Sequence, residues 1–138
     1  MVTSLGIDII EIDRMRRALE RRPQMAGRLF TERERAYCEG RGDPAAHYAA
    51  RFAAKEATAK SLGRWLRWQE VEIVNDAAGR PSVALYGEAA ALARVSEGGR
   101  PLVSLSHSRD YAVACVLLVG PQEIACLDEN LPPGSVWT

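Results

Sequence analysis

The segment from Asp43 to Gly63 constrains the fold of this chain more than any other. Asp43 is a helix-capping residue type, and Pro44 suits a first helical position, where its missing N–H is no loss. Alanine, the strongest helix former, recurs onward to Leu62, and Gly63 supplies the stop. One long helix is therefore predicted over 44–62. Its second half carries Arg51-Phe52-Ala53-Ala54-Lys55-Glu56-Ala57-Thr58-Ala59-Lys60, and those two lysines are the only lysines of the chain, against sixteen arginines. Arginine is a planar fork with a permanent charge, whereas lysine is a compact ammonium that acts as a point charge on a phosphate. Two lysines beside a lone carboxylate point to chemistry near an anion.

The flanking sequence supplies partners for that helix. Leu5 to Ile10 reads as an apolar strand interrupted by Asp8, with apolar residues expected on both faces. A helix follows to about Arg22: Ile12, Met15 and Leu19 fall on its core face, and Arg14, Arg17 and Arg21 cluster opposite. Thr31 is a natural cap for a short helix ending near Gly40. Val71–Asn75 and Ser82–Leu85 read as a hairpin around Asp76 to Gly79, and 87–95 as a helix stopped by Gly98-Gly99. Leu102–Ser106 and Tyr111–Val119 are strands joined at His107 to Asp110. The order β-α-α-α-ββ-α-ββ predicts an α+β domain in which the long helix packs on an antiparallel sheet. Residues 1–119 form that domain, and 120–138 an acidic, proline-containing tail expected to be extended or mobile.

With 138 residues the chain suits one core, and 47% apolar with 26% charged residues is ordinary for a globular protein. No apolar run approaches the ~20 residues of a membrane helix, and the N-terminus has no secretory pattern. Cys38, Cys115 and Cys126 are odd in number and widely spaced, which predicts buried free thiols in a cytoplasmic protein. The net charge of zero hides an asymmetry: residues 14–35 hold eight arginines against three glutamates, and the tail is acidic. Such a segment is a solvated face or a surface that steers an acidic partner. No zinc pattern, RNA-binding aromatic motif or basic pI supports nucleic acid.

Asp8 has two readings. Asp8 to Glu11 has capping-box spacing, so Asp8 could cap the first helix. Alternatively it is a buried carboxylate, which needs a cation or donors. Glu56 and Lys60 likewise form either an exposed (i, i+4) pair or part of a half-buried site, as Phe52, Ala53, Ala57 and Ala59 suggest. Two carboxylates converging from different elements would suit magnesium, which keeps several waters and takes substrate phosphates; manganese also accepts such oxygen ligands. His107, ending Ser104-Leu105-Ser106-His107, is either structural or a phosphate contact. A serine nucleophile is disfavoured, since the G-x-S-x-G elbow is absent.

Three segments, Gly6-Ile7-Asp8-Ile9-Ile10-Glu11 with Arg14, the Arg51 to Lys60 phrase, and Ser104 to His107, together resemble the holo-acyl-carrier-protein synthases, the small 4′-phosphopantetheinyl transferases. The resemblance covers about Leu5 to Val119. It implies transfer of phosphopantetheine from coenzyme A to a serine of an apo acyl carrier protein, releasing 3′,5′-ADP. It further implies magnesium on Asp8 and Glu56, Lys60 beside the pyrophosphate, and Arg51 and His107 at the nucleotide end. Glu56 or a metal-bound water would take the serine proton. Arg14, Arg17 and Arg21 would face the acidic carrier, and three chains would assemble with active sites between subunits. The family's T-G-x-G-like loop is missing after the long helix, where Gly63-Arg64-Trp65-Leu66-Arg67-Trp68 stands instead, so Arg64 or Trp65 would substitute for it. Lys55 is either structural or a peripheral substrate contact. The competing expectation is a non-catalytic α+β module that binds an acidic partner through its arginine face.

Overall fold

A computed structural model describes residues 1–96 and 99–120. Gly98, Cys126 and the tail with Pro132, Pro133 and Trp137 lie outside the described residues. Strand β1 (Val2–Glu11) leads into α1 (Ile12–Arg21), α2 (Met25–Leu29), α3 (Glu32–Glu39) and the long α4 (Pro44–Leu62). A 3-10 turn (Trp68–Glu70) precedes β2 (Val71–Asn75) and β3 (Pro81–Leu85), and then come α5 (Gly87–Val95), β4 (Arg100–His107) and β5 (Tyr111–Val119). The predicted order holds, with α2 and the 3-10 turn added. The strands form two antiparallel sheets: a three-stranded one ordered β1-β5-β4, and the separate β2-β3 hairpin.

Helix α4 packs across β1 and β5, and its alanines make that possible. Ala53, Ala54 and Ala57 are fully buried against Ala114, Val116 and Ile73. Gly6 allows the closest approach, since a Cβ there would run into the Ala57 carbonyl oxygen and crowd the Ser61 amide. Gly63 closes α4 in the left-handed conformation (φ 71°), its N–H reaching back to the Ala59 and Lys60 carbonyls. A second cluster around Phe30, Cys38, Tyr48 and Ala49 takes in Ile12 and Met15 from α1, which leaves Arg14, Arg17 and Arg21 exposed as predicted.

Two local expectations are corrected. Asp43 makes no side-chain cap. Its two oxygens instead accept from Arg16 Nη2, at 3.2 Å each, which ties α1 to the start of α4. Cys115 is only half-buried, because it lies on the outer face of β5, whereas Cys38 is fully buried as expected. Strand β1 is covered on one face alone: Gly6, Asp8 and Ile10 turn toward α4, while Leu5, Ile7 and Ile9 are 61%, 57% and 60% exposed. Thr31 does cap α3, in a full capping box with Glu34.

Candidate active site

The tight β1–α4 contact at Gly6 sets Asp8, two residues further along the same strand face, against α4. Asp8 is mid-strand, opposite Ala114 of β5, and the residue at the start of α1 is Glu11, which makes no side-chain cap. The capping role for Asp8 is thereby removed. Its Oδ1 accepts from Lys60 Nζ at 3.0 Å, and the same ammonium donates to the Ile7 carbonyl at 3.0 Å. Asp8 Oδ2 is buried and has no hydrogen-bond partner.

Glu56 lies beside this pair. Burial raises its carboxyl pKa, the Asp8 charge raises it further, and Lys60 opposes both. The Asp8 carboxylate is therefore close enough to act on the Glu56 carboxyl, as the metal reading of the sequence requires. Lys60 makes its ion pair with Asp8, 52 positions away, and not with Glu56 one helical turn before it. The expected surface pair is thus replaced by a contact between elements. Glu56 and Lys60 open onto a cleft of ≈ 300 Å³, lined also by Ala59, Gly63, Arg64 and the exposed Trp65.

Asp8 and Glu56 suit a hard divalent cation. Asp8 Oδ2 is an acceptor without a donor, Glu56 is held toward its protonated form by burial and then by the Asp8 charge, and the cleft leaves room for water and phosphate oxygens. No cluster of three or more metal-type ligands occurs among the described residues.

Arg51 and His107 belong to a different place. Arg51 and Glu56 are five positions apart, which puts them about 140° apart around the helix. Arg51 is buried, donates from Nη2 to the Asn75 side-chain oxygen, and lays its guanidinium 3.8 Å from the Tyr37 ring centroid. His107, at the end of β4, packs edge-on against His47 with centroids 5.8 Å apart. His47, Arg41, Tyr37 and Asn75 were not singled out from the sequence. The available signal was helical spacing, since His47 precedes Arg51 by one turn and shares its stripe.

Lys55 is structural. It is fully buried, pairs with the equally buried Glu34 at 2.6 Å, and donates to the Leu29 and Trp68 carbonyls at 2.7 and 2.8 Å. Glu34 also accepts from the Thr31 and Ile73 amides, so one ion pair joins α4, α3 and β2.

A family model described as the 4′-phosphopantetheinyl transferase superfamily matches residues 4–116. The holo-[acyl-carrier-protein] synthase of Geobacter metallireducens is 46% identical over 123 residues, spanning 86% of this chain and 98% of that protein. The synthase of Moorella thermoacetica is 49% identical over 116 residues, 82% of this chain and 91% of its own length. Among solved structures, the holo-(acyl-carrier-protein) synthase of Bacillus anthracis in complex with coenzyme A superposes with a TM-score of 0.72 at 32% identity, over 87% of this chain and 98% of that one.

Proposed function

The chain belongs to the 4′-phosphopantetheinyl transferase superfamily, and on that premise we propose that it is a magnesium-dependent holo-acyl-carrier-protein synthase. It moves 4′-phosphopantetheine from coenzyme A to a serine of an apo carrier. The observation that carries this is the Asp8–Glu56 pair, with its orphaned buried oxygen and the Lys60 ammonium alongside. The non-catalytic alternative loses its basis here, because Asp8 is no cap and Glu56 is no solvated surface charge.

Asp8 and Glu56 hold the ion, which when bound neutralises pyrophosphate charge and polarises the attacked phosphorus. Lys60 lies where it meets phosphate oxygens. The serine oxygen bonds to the phosphorus that bears the pantetheine arm, the bond to the bridging oxygen breaks, and its electron pair leaves with 3′,5′-ADP. Glu56, or a metal-bound water, is our candidate to accept the serine proton. Arg51 and His107 hold the nucleotide end. Exposed Arg14, Arg17 and Arg21 on α1 steer the acidic carrier, contributing to on-rate and orientation. Incubation with coenzyme A, magnesium and apo carrier, followed by mass spectrometry, should add one phosphopantetheine mass to the carrier. No gain across several carriers would sink this function.

Two observations support a homotrimer with shared sites. One phosphate cannot touch both stripes of α4, so a donor that spans them is best served by Asp8, Glu56 and Lys60 of one copy and Arg51 and His107 of the next. The outer sheet face is also apolar: Leu5, Ile7 and Ile9 pair in register with Leu117, Cys115 and Val113, and no described element covers them. Patches of that kind mark interfaces. Light scattering should give three times the 15.2 kDa chain mass, and Ile7→Lys should break the assembly and its activity together. A fully active monomer would overturn the shared site. No helix of the described residues is long and apolar enough to cross a membrane. On the family reading we place the protein in the cytoplasm, modifying an acyl carrier protein.

A further inference from the structure

Arg51 is 2% exposed, yet its Nε–H finds no acceptor. An unmet donor on a buried charge is costly, and it is what an anion site looks like before the anion arrives. Around it the charge is one-sided. Arg41 lies 4.2 Å from the centroid of the same Tyr37 ring that Arg51 covers, and neither arginine has a carboxylate ion pair among the described residues.

His47 sits in this cluster one helical turn before Arg51, with ring centroids 5.7 Å from Tyr37 and 5.8 Å from His107. The groups facing it are Arg51 on its own helix, Asp43 at the start of that helix, Tyr37 on α3, Arg41 just after α3, and His107 on β4. Burial most of all, then Arg51, His107 and Arg41, hold its pKa below the ordinary histidine value, and Asp43 alone opposes them. In the free protein at neutral pH the imidazole is therefore largely uncharged. A phosphate dianion on Arg51 Nε would reverse the local field that keeps it so.

We propose that His47 is a specificity-determining residue of the nucleotide-end pocket, taking a proton from solvent as the pocket binds a phosphate monoester, and so selecting a donor with a ribose-linked phosphate over one without it. The unmet Arg51 donor and the one-sided charge around it stand on their own geometry, and the identity of the donor rests on the transferase reading. Coenzyme A and dephospho-coenzyme A differ by that one phosphate, which makes them the natural probes.

Calorimetric titration of the full-length protein with each compound, with magnesium and without carrier, in two buffers of different ionisation enthalpy, reads both affinity and proton uptake. Near pH 7, His47→Gln should weaken coenzyme A about tenfold, as expected for a lost charge-assisted hydrogen bond. It should leave dephospho-coenzyme A within about twofold and remove most of the proton uptake specific to coenzyme A. The ligand's own proton change is common to both proteins and cancels. Because the bound phosphate raises the imidazole pKa, the wild-type preference for coenzyme A should grow as pH falls through the bound-state value, and the variant's should not. Unchanged uptake in His47→Gln, uptake lost only in His107→Gln, or equal weakening of both compounds would each overturn the proposal. If carrier modification fails while His47-linked uptake persists, the transfer reading falls and the pocket stands. The opposite pattern removes only the role of His47.

Discussion

Replacing Asp8 by asparagine is expected to lower carrier modification by about two to three orders of magnitude while leaving the fold intact. Asparagine keeps the shape and an oxygen for Lys60, so the contact between β1 and α4 survives. What is lost is half of the negative charge facing the cation. Removing one element of preorganised charge stabilisation costs on the order of 10²–10³ in rate. Glu56→Gln should be comparable, since it removes the second carboxylate and the candidate base together. Steady-state rates at limiting and saturating magnesium, alongside thermal melts, separate lost chemistry from lost structure. Near-normal turnover of either variant at limiting magnesium would show that the two-carboxylate site is wrong. Asp8→Asn also has a readout free of turnover. The Asp8 charge is one cause of the raised Glu56 pKa, so without metal the Glu56 carboxyl should titrate at lower pH in Asp8→Asn, observable by carbon-detected NMR.

Lys55→Met should destabilise the protein by roughly 3–5 kcal/mol, because it strands the Glu34 carboxylate in a fully buried site. A melting-temperature drop on the order of 10 °C should accompany it. The remaining amide donors of Thr31 and Ile73 offset part of the loss but supply no counter-charge. Adding Glu34→Gln should return a large part of the stability, since the buried charge disappears while the side chain still accepts a hydrogen bond. Urea unfolding of both single variants and the double variant measures this coupling. A Lys55→Met loss under about 1 kcal/mol would show that the pair is dispensable. Activity adds information: α4 is held in rotation by this pair, so the single variant should lose turnover through misplacement of Glu56 even where it remains folded.

Elements whose information is local were legible in the sequence. The bounds of α4 follow from Pro44 and Gly63, the α3 cap from Thr31, and the buried stripe of α1 from the spacing of Ile12 and Met15. Pairings that cross the fold were not. The spacing of Glu56 and Lys60 suggested a partnership between them, and the ammonium went instead to a carboxylate 52 positions earlier. Lys55 and Lys60 look alike as letters. About 140° of helix rotation separates them, and it sends one into the core and the other to the site. The sequence placed apolar residues on both faces of β1 and did not say what would cover them. A single chain leaves Leu5, Ile7 and Ile9 open.

The sequence by itself determined the element order and the family, because the Asp8, Arg51 to Lys60 and Ser104 to His107 segments are contiguous patterns that survive without knowledge of contacts. Only the tertiary structure decided what each charge does. The glycine at position 6 lets a strand come close enough to α4 for Asp8 to meet Lys60 and act on Glu56. The turn of the helix divides phosphate-type groups between two surfaces. A charge in a chain has no partner until folding fixes its distance and its solvent, and both are properties of packing, not of neighbouring letters.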